Sequence, residues 1–328
     1  MIGATGVGSM PGTDQADLRA AVQLVLDVVP GLPFLPELPG RGPHADLTGR
    51  ALAVMAELGA DLQPAGWRLT DAPGVDHRRA RSLLAQDLDT VEELTQGYTG
   101  PFKIQVAGPW TLAATVERPR GDRVLADHGA RRELAQALAE GLRGHVADVR
   151  RRIPGARVLV QVDEPALPAV LAGAIPTASG FHRHRSVDAP AASPALEEVF
   201  SAVDGSGGTA VAHCCASDVP LGLLTGAGAA GVCIDLDVLP AAAYDDLADL
   251  LDQGRPVHLG VVPSTRPATP PTDEAVTERV LRLLDMLGLD TDSAPSLVLT
   301  PSCGLAGADS RWARTALELV ERASRNLG

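Results

Sequence analysis

Short apolar runs alternate along the chain with longer stretches whose apolar residues recur every three or four positions. Phe102–Ala107 (FKIQVA), Arg157–Asp163 (RVLVQVD), Thr209–Cys215 (TAVAHCC), Gly231–Asp237 (GVCIDLD), Pro256–Val262 (PVHLGVV) and Ser296–Ser302 (SLVLTPS) have the length and β-branched content of buried strands. Ala4–Ser9 (ATGVGS) reads as a shorter strand ending in a turn. Leu32–Leu38 (LPFLPEL) reads as another, although its two prolines suit only a strand's first residue or last turn. The helical period predicts helices over Gln15–Val28, capped by Thr13 or Asp14, and over Ala45–Ala60, Ala85–Gln96, Val124–Arg152 and Pro194–Val203. Further helices are expected over Val219–Thr225, Ala241–Leu251, Asp273–Leu287 and Ser310–Asn326, while residues 63–74 (QPAGWRLTDAPG) and 173–193 read as irregular.

Strand followed by helix, about eight times over, implies a parallel sheet buried on both faces. The expected fold is an α/β (β/α)8 TIM barrel with insertions, one catalytic domain over residues 1–328. An open doubly wound sheet is the alternative, disfavoured because GVGSMPG lacks the GxGxxG fingerprint and no Walker sequence occurs. In a barrel, chemistry collects at the carboxyl ends of the strands. Those ends carry Ser9, Glu37, Gly108-Pro109-Trp110, Asp163-Glu164, His213 with Cys215, Asp235 with Asp237, Ser264-Thr265 and Cys303.

Charge narrows the partners. A net charge of −13, with Lys103 the only lysine, argues against nucleic acid and leaves small molecules as substrates. The start, MIGATGVGSMPG, lacks a charged leader, and no apolar run approaches the ~18 residues of a membrane span, so a soluble cytoplasmic protein is expected. Four cysteines in 328 residues do not make a disulfide framework. His213 and Cys215 stand two residues apart on a strand, share a face, and could grip one metal ion while Cys214 faces away. Imidazole and thiolate suit zinc, which needs two further donors; Asp235 or Asp237 and Cys303 are the candidates.

The motifs VGS (7–9), VQVDEPAL (160–167), AHCC (212–215) and TPSCGL (300–305), in this order, resemble the catalytic barrel of the cobalamin-independent methionine synthases, within the wider uroporphyrinogen decarboxylase-like superfamily. Fainter matches are Glu37, GW at 66–67, GPWTL at 108–112 and the VCID segment. The resemblance implies zinc-dependent methyl transfer to the thiol of homocysteine. It places zinc ligands at His213, Cys215 and Cys303, with the family's glutamate ligand falling on Asp235, one methylene shorter; Asp237 competes by distance alone. It assigns the catalytic-site carboxylates Asp163 and Glu37, together with Val7, Gly8 and Ser9, to the amino-acid part of the substrate. Two carboxylates suit an α-ammonium, and a hydroxyl with backbone amides suits an α-carboxylate. Trp67 and Trp110 resemble, loosely, aromatics on the methyl-donor side, where either could wall a planar pteridine or corrin.

Two departures bear on the donor. Long members of the family carry a second, amino-terminal barrel that helps bind folate, whereas this stretch is expected to form the catalytic barrel alone. The family also places a histidine acid in the loop after the seventh strand, which in this chain reads GVVPSTRPATPP; His258 sits at that strand's start. Protonating an amine leaving group is a large part of transfer from methyltetrahydrofolate. The expected donor is therefore another one, with a corrinoid methyl carrier as the partner that would deliver it. The competing expectation is a non-catalytic barrel that binds a thiol or amino acid as a sensor or partner subunit.

Overall fold

The computed structural model describes residues 2–328; Met1, the first residue of the N-terminal segment read above, lies outside them. The first half runs β1 (Gly3–Ala4), α1 (Gln15–Val28), α2 (Leu47–Val54), β2 (Gly59–Gln63), β3 (Gly66–Thr70), α3 (Val75–Leu94), β4 (Thr99–Ala107), α4 (Pro109–Thr115), α5 (His128–Arg152) and β5 (Gly155–Asp163). The second half runs α6 (Leu167–Leu171), α7 (Ala189–Gly205), β6 (Thr209–Cys214), α8 (Leu221–Gly226), β7 (Gly231–Asp235), α9 (Tyr244–Asp252), β8 (Val257–Val262), α10 (Asp273–Met286), β9 (Leu297–Pro301) and α11 (Ser310–Leu327). Asp14, not Thr13, caps α1 by accepting from the Asp17 N–H.

Seven strands form one parallel sheet in the order β1-β9-β8-β7-β6-β5-β4. The segment Leu32–Leu38 closes it into a TIM-type barrel, as isolated bridges rather than as a regular strand. Phe34 bridges Lys103 of β4, and Glu37 bridges Ser9 beyond β1. Four backbone bonds hold the seam: Lys103 N–H to Pro33 O at 2.9 Å, Leu35 N–H to Lys103 O at 2.8 Å, Glu37 N–H to Gly8 O at 3.1 Å and Met10 N–H to Glu37 O at 2.8 Å. Pro33 and Pro36 have no N–H to donate, so the ladder is interrupted while the chain still runs between its two neighbours.

Between residues 54 and 74 the structure departs from the expected pattern. The helix expected to reach Ala60 stops at Val54, and Gly59–Gln63 and Gly66–Thr70 pair as an antiparallel hairpin instead. Gly66, at φ 121°, takes a conformation that L side chains rarely adopt and lets the chain reverse after Pro64-Ala65. The hairpin then joins the loop after α4, where Arg68 bridges Glu117.

Period two splits the sheet into two faces. Outward residues such as Ile104, Val160, Ala212, Ile234 and Leu259 pack against the helices in the main core. The inward face is partly polar: Lys103, Gln105, Gln161, Asp163, His213 and His258 are all buried, beside a small apolar cluster of Val7, Val211 and Cys233. Among the described residues, no helix is long and apolar enough to cross a membrane.

Buried imidazoles make the fold sensitive to acid. Burial first, then Lys103 and His213, pushes His258 down to about 3; burial first, then Arg50, pushes His145 down to about 4; and burial first, then Arg81, pushes His77 down to about 4. Between those values and the ordinary ~6.5 the unfolded chain binds protons that the folded chain refuses, so stability falls as pH falls through that window. Burial pushes Glu164 up to about 7, which acts in the opposite sense. We expect urea unfolding to show a net loss on the order of 4 kcal/mol between pH 7 and pH 5; a rise over that interval would refute neutral burial of these rings.

Candidate metal and substrate site

Neighbouring parallel strands place residues in register side by side on one face, and β5 pairs with β6 so that Asp163 stands next to His213. Two residues on, past the end of β6, Cys215 reaches the same mouth, and Cys303 enters from the loop after β9. One ligand atom each from His213, Cys215 and Cys303 lies within 4.8 Å of the others. The Cys215 and Cys303 sulfurs are 2.9 Å apart and unbridged. The hydrogen bond from Cys215 pushes the Cys303 thiol down to about 6 against the effect of its burial, and the same bond pushes Cys215 up.

The histidine is oriented from below. Its Nδ1 and Asp163 Oδ1 are 2.7 Å apart, and Gln161 Nε2 donates to that same oxygen at 2.7 Å. The carboxylate only accepts, so Nδ1 carries the proton and Nε2 presents its lone pair. Nε2 is buried and has no hydrogen-bond partner among the described residues. An orphaned imidazole nitrogen facing two thiols fits a borderline-soft ion of the zinc type, with the carboxylate–histidine support usual behind such ligands.

Asp235 stands outside this cluster. It ends β7 half-buried, its carboxyl pushed up chiefly by burial, and its Oδ1 accepts the Asp237 N–H at 2.9 Å. Asp237 turns outward to Arg279 at 2.5 Å. The structure thus converges three donors where the sequence reading expected four, because the shorter aspartate at the end of β7 is engaged by its own turn. Cys214 points to the other face of β6, in the outer core, and burial pushes its thiol up to about 11.

Beside the thiols lies the VGS turn. Leu305 N–H donates to Ser9 O at 2.7 Å, and a Cβ on Gly304 would come within 2.0 Å of Ser9 Oγ, so a side chain there would force the serine hydroxyl to turn away from the Cys303 loop. Gln105 lies under Gly8, where a Cβ would meet its side chain at 2.8 Å. Glu37 is 4 % exposed and pairs with Arg50 Nε at 3.0 Å. Burial raises its carboxyl above the usual range in spite of Arg50, and the nearby Asp163 adds to the rise. A cation placed between these two carboxylates would relieve that repulsion.

Arg50 in turn bonds Asp87 at 2.6 Å, and Arg41 grips Asp87 with bonds of 2.8 and 2.7 Å. Sequence reasoning missed Arg50, Asp87, Gln161 and the task of Lys103. The available signals were charged residues at buried positions of apolar helix faces and a lone lysine inside a strand. Glu164, beside Asp163, serves the fold: it accepts from Trp110 N–H at 2.9 Å and from the Thr111 N–H and hydroxyl at 2.7 Å each, holding the start of α4.

Neither tryptophan offers a free wall to a donor. Trp67 is 4 % exposed, donates to Pro43 O at 3.3 Å and meets His44 edge-on. Trp110 is 3 % exposed, donates to Ala192 O at 3.0 Å and lies under the Arg131 guanidinium. Both rings pack against neighbouring loops and helices.

The family model for the catalytic domain of the cobalamin-independent synthases matches residues 55–326. Among solved structures, a B12-independent methionine synthase from a Shewanella species, in complex with selenomethionine, superposes with a TM-score of 0.64 at 14% identity, covering 99% of this chain and 97% of that one. At that identity the likeness speaks for the fold. A GH5 cellulase from a Bacteroidetes-affiliated source aligns with a TM-score of 0.42 at 12% identity over 94% of each chain, too weak a likeness to carry weight. No curated protein matches the chain.

Proposed function

The chain belongs to the family of cobalamin-independent synthase catalytic domains, and from that membership we propose that it transfers a methyl group to the thiol of homocysteine, with zinc held by His213, Cys215 and Cys303. The observation that carries this reading is the convergence of one orphaned imidazole nitrogen and two thiols beside the VGS turn. Zinc in such a site supplies the charge that keeps a substrate thiol ionised near neutral pH, while two thiolate ligands leave it a weak Lewis acid suited to alkyl transfer to sulfur rather than hydrolysis.

The chain's own groups bind and orient. Ser9 Oγ and the Val7–Gly8 backbone face the α-carboxylate, and Glu37 with Asp163 Oδ2 take the α-ammonium, whose charge would relieve the repulsion between the two carboxylates. In the reaction the thiol proton leaves to solvent, the sulfur pair forms the new S–C bond, and the donor–methyl pair departs with the leaving group. His258 is unsuited to protonate that leaving group, since it lies buried within the barrel and stays neutral down to about 3. We therefore infer a donor that departs without a proton, of the methyl-corrinoid type, in preference to methyltetrahydrofolate.

The test pairs zinc content with donor choice. Purified protein is expected to hold one zinc per chain and to methylate homocysteine from methylcobalamin at least tenfold faster than from methyltetrahydrofolate. Equal or faster transfer from the folate would overturn the donor reading, and absence of zinc would overturn the site.

A further inference from the structure

The only lysine of the chain is fully buried in β4, at the centre of the barrel and away from solvent. A buried ammonium costs several kcal/mol unless it is bonded. Lys103 Nζ donates to Val7 O at 2.6 Å and to Gln161 Oε1 at 2.8 Å. An ammonium has no acceptor, so the Gln161 amide must turn its oxygen toward Lys103 and its nitrogen away. That nitrogen donates to Val7 O at 2.9 Å and to Asp163 Oδ1 at 2.7 Å, and Asp163 Oδ1 holds His213 Nδ1. The column therefore has one direction, from ammonium to amide to carboxylate to imidazole.

We propose that Lys103 is a positioning residue: through Gln161 it holds in place the Asp163 carboxylate that orients the His213 ring, and through Val7 O it ties the substrate turn to the same column. The inference rests on the proposed assignment of His213 as a metal ligand. Two observations sharpen it. First, both donors that meet Val7 O belong to the column, so the amino-acid cradle and the imidazole share one foundation. Second, burial pushes Lys103 down only to about 8, with Cys233, Asp163 and Glu37 holding it up, so it remains the cation of the inward face at neutral pH. Without that ammonium, Gln161 Oε1 and Val7 O each lose a donor, and the amide that braces Asp163 is no longer held from its oxygen side.

The test reads the His213 Nδ1–H signal in metal-free protein and zinc affinity separately. Ring-nitrogen NMR of histidine-labelled protein, with His213 assigned by loss of its signals in His213→Ala, is expected to show Nδ1–H in the parent. Two variants probe the column. Lys103→Met removes the charge, whereas Gln161→Glu keeps an acceptor for Lys103 but replaces the N–H that Asp163 accepts with a carboxyl oxygen. Each is expected to shift the His213 Nδ1–H signal, which reports the strength of its bond to Asp163, and to weaken zinc binding, measured by chelator competition, about 10–100-fold. The double variant is expected to be no weaker than the worse single one, as for residues acting through one path. An unchanged Nδ1–H signal in folded Gln161→Glu overturns the proposal, whether or not zinc binding weakens, because Lys103 would then act by another route. A parent that takes up no zinc overturns the proposed function instead, while the Nδ1–H signal of the variants still decides the role of Lys103.

Discussion

Exchanging Cys303 for serine is expected to remove zinc from most of the protein and to lower methyl transfer by more than the ~10–100-fold that loss of a supporting partner costs. Cys303 is one of three donors gathered within 4.8 Å. Its thiol is already shifted to about 6 by the Cys215 hydrogen bond, so it is the donor most ready to bind as thiolate. A serine hydroxyl is a hard donor that does not ionise near neutrality, and it leaves Cys215 without its partner. Cys214→Ser is the control: the residue packs outward from β6 in the apolar core, so it is expected to cost roughly 1 kcal/mol of stability and no zinc. Metal analysis alongside initial rates decides the matter. Full zinc occupancy with unaltered turnover in Cys303→Ser would remove the basis for the site.

The second large effect is structural and begins one layer away from substrate. In Asp87→Ala the unfolding free energy is expected to fall by about 3–5 kcal/mol, the cost of stripping one partner from a buried ion cluster. Asp87 is fully buried and receives three arginine N–H bonds of 2.6, 2.7 and 2.8 Å from Arg50 and Arg41. Both guanidiniums are buried as well, so neither can turn to water without moving its helix or loop. Arg50 also holds Glu37, and its loss of Asp87 is expected to disturb that carboxylate and raise KM for homocysteine more than it lowers kcat. Urea unfolding together with substrate titration checks both parts; a change under 1 kcal/mol would mean that water reaches the arginines.

Most of the architecture was legible along the chain. Runs such as RVLVQVD and TAVAHCC could be buried on both faces only in a parallel sheet, and their alternation with amphipathic helices left few topologies. The segment from Gly59 to Thr70 was not legible, because its hairpin depends on Gly66 at positive φ and on Glu117 far along the chain, neither of which carries a periodic signal. The surroundings of the tryptophans were not legible for a related reason. An indole can wall a ligand or pack under a loop, and composition does not distinguish them; Pro43 O and Ala192 O do.

By itself the sequence determined which groups end the strands, and so which donors could meet: period two put His213 and Cys215 on one face and Cys214 on the other. The tertiary structure decided which of them do meet. Strand register set Asp163 against His213, the loop after β9 brought Cys303 to Cys215, and the turn after β7 engaged Asp235 with its own backbone. It alone revealed the column from Lys103 to His213 and the pairing of Arg50 with Glu37, contacts between residues distant in the chain. Local propensity acts over a few residues, whereas these bonds are chosen by the closure of the barrel, which fixes the neighbours of every inward side chain at once.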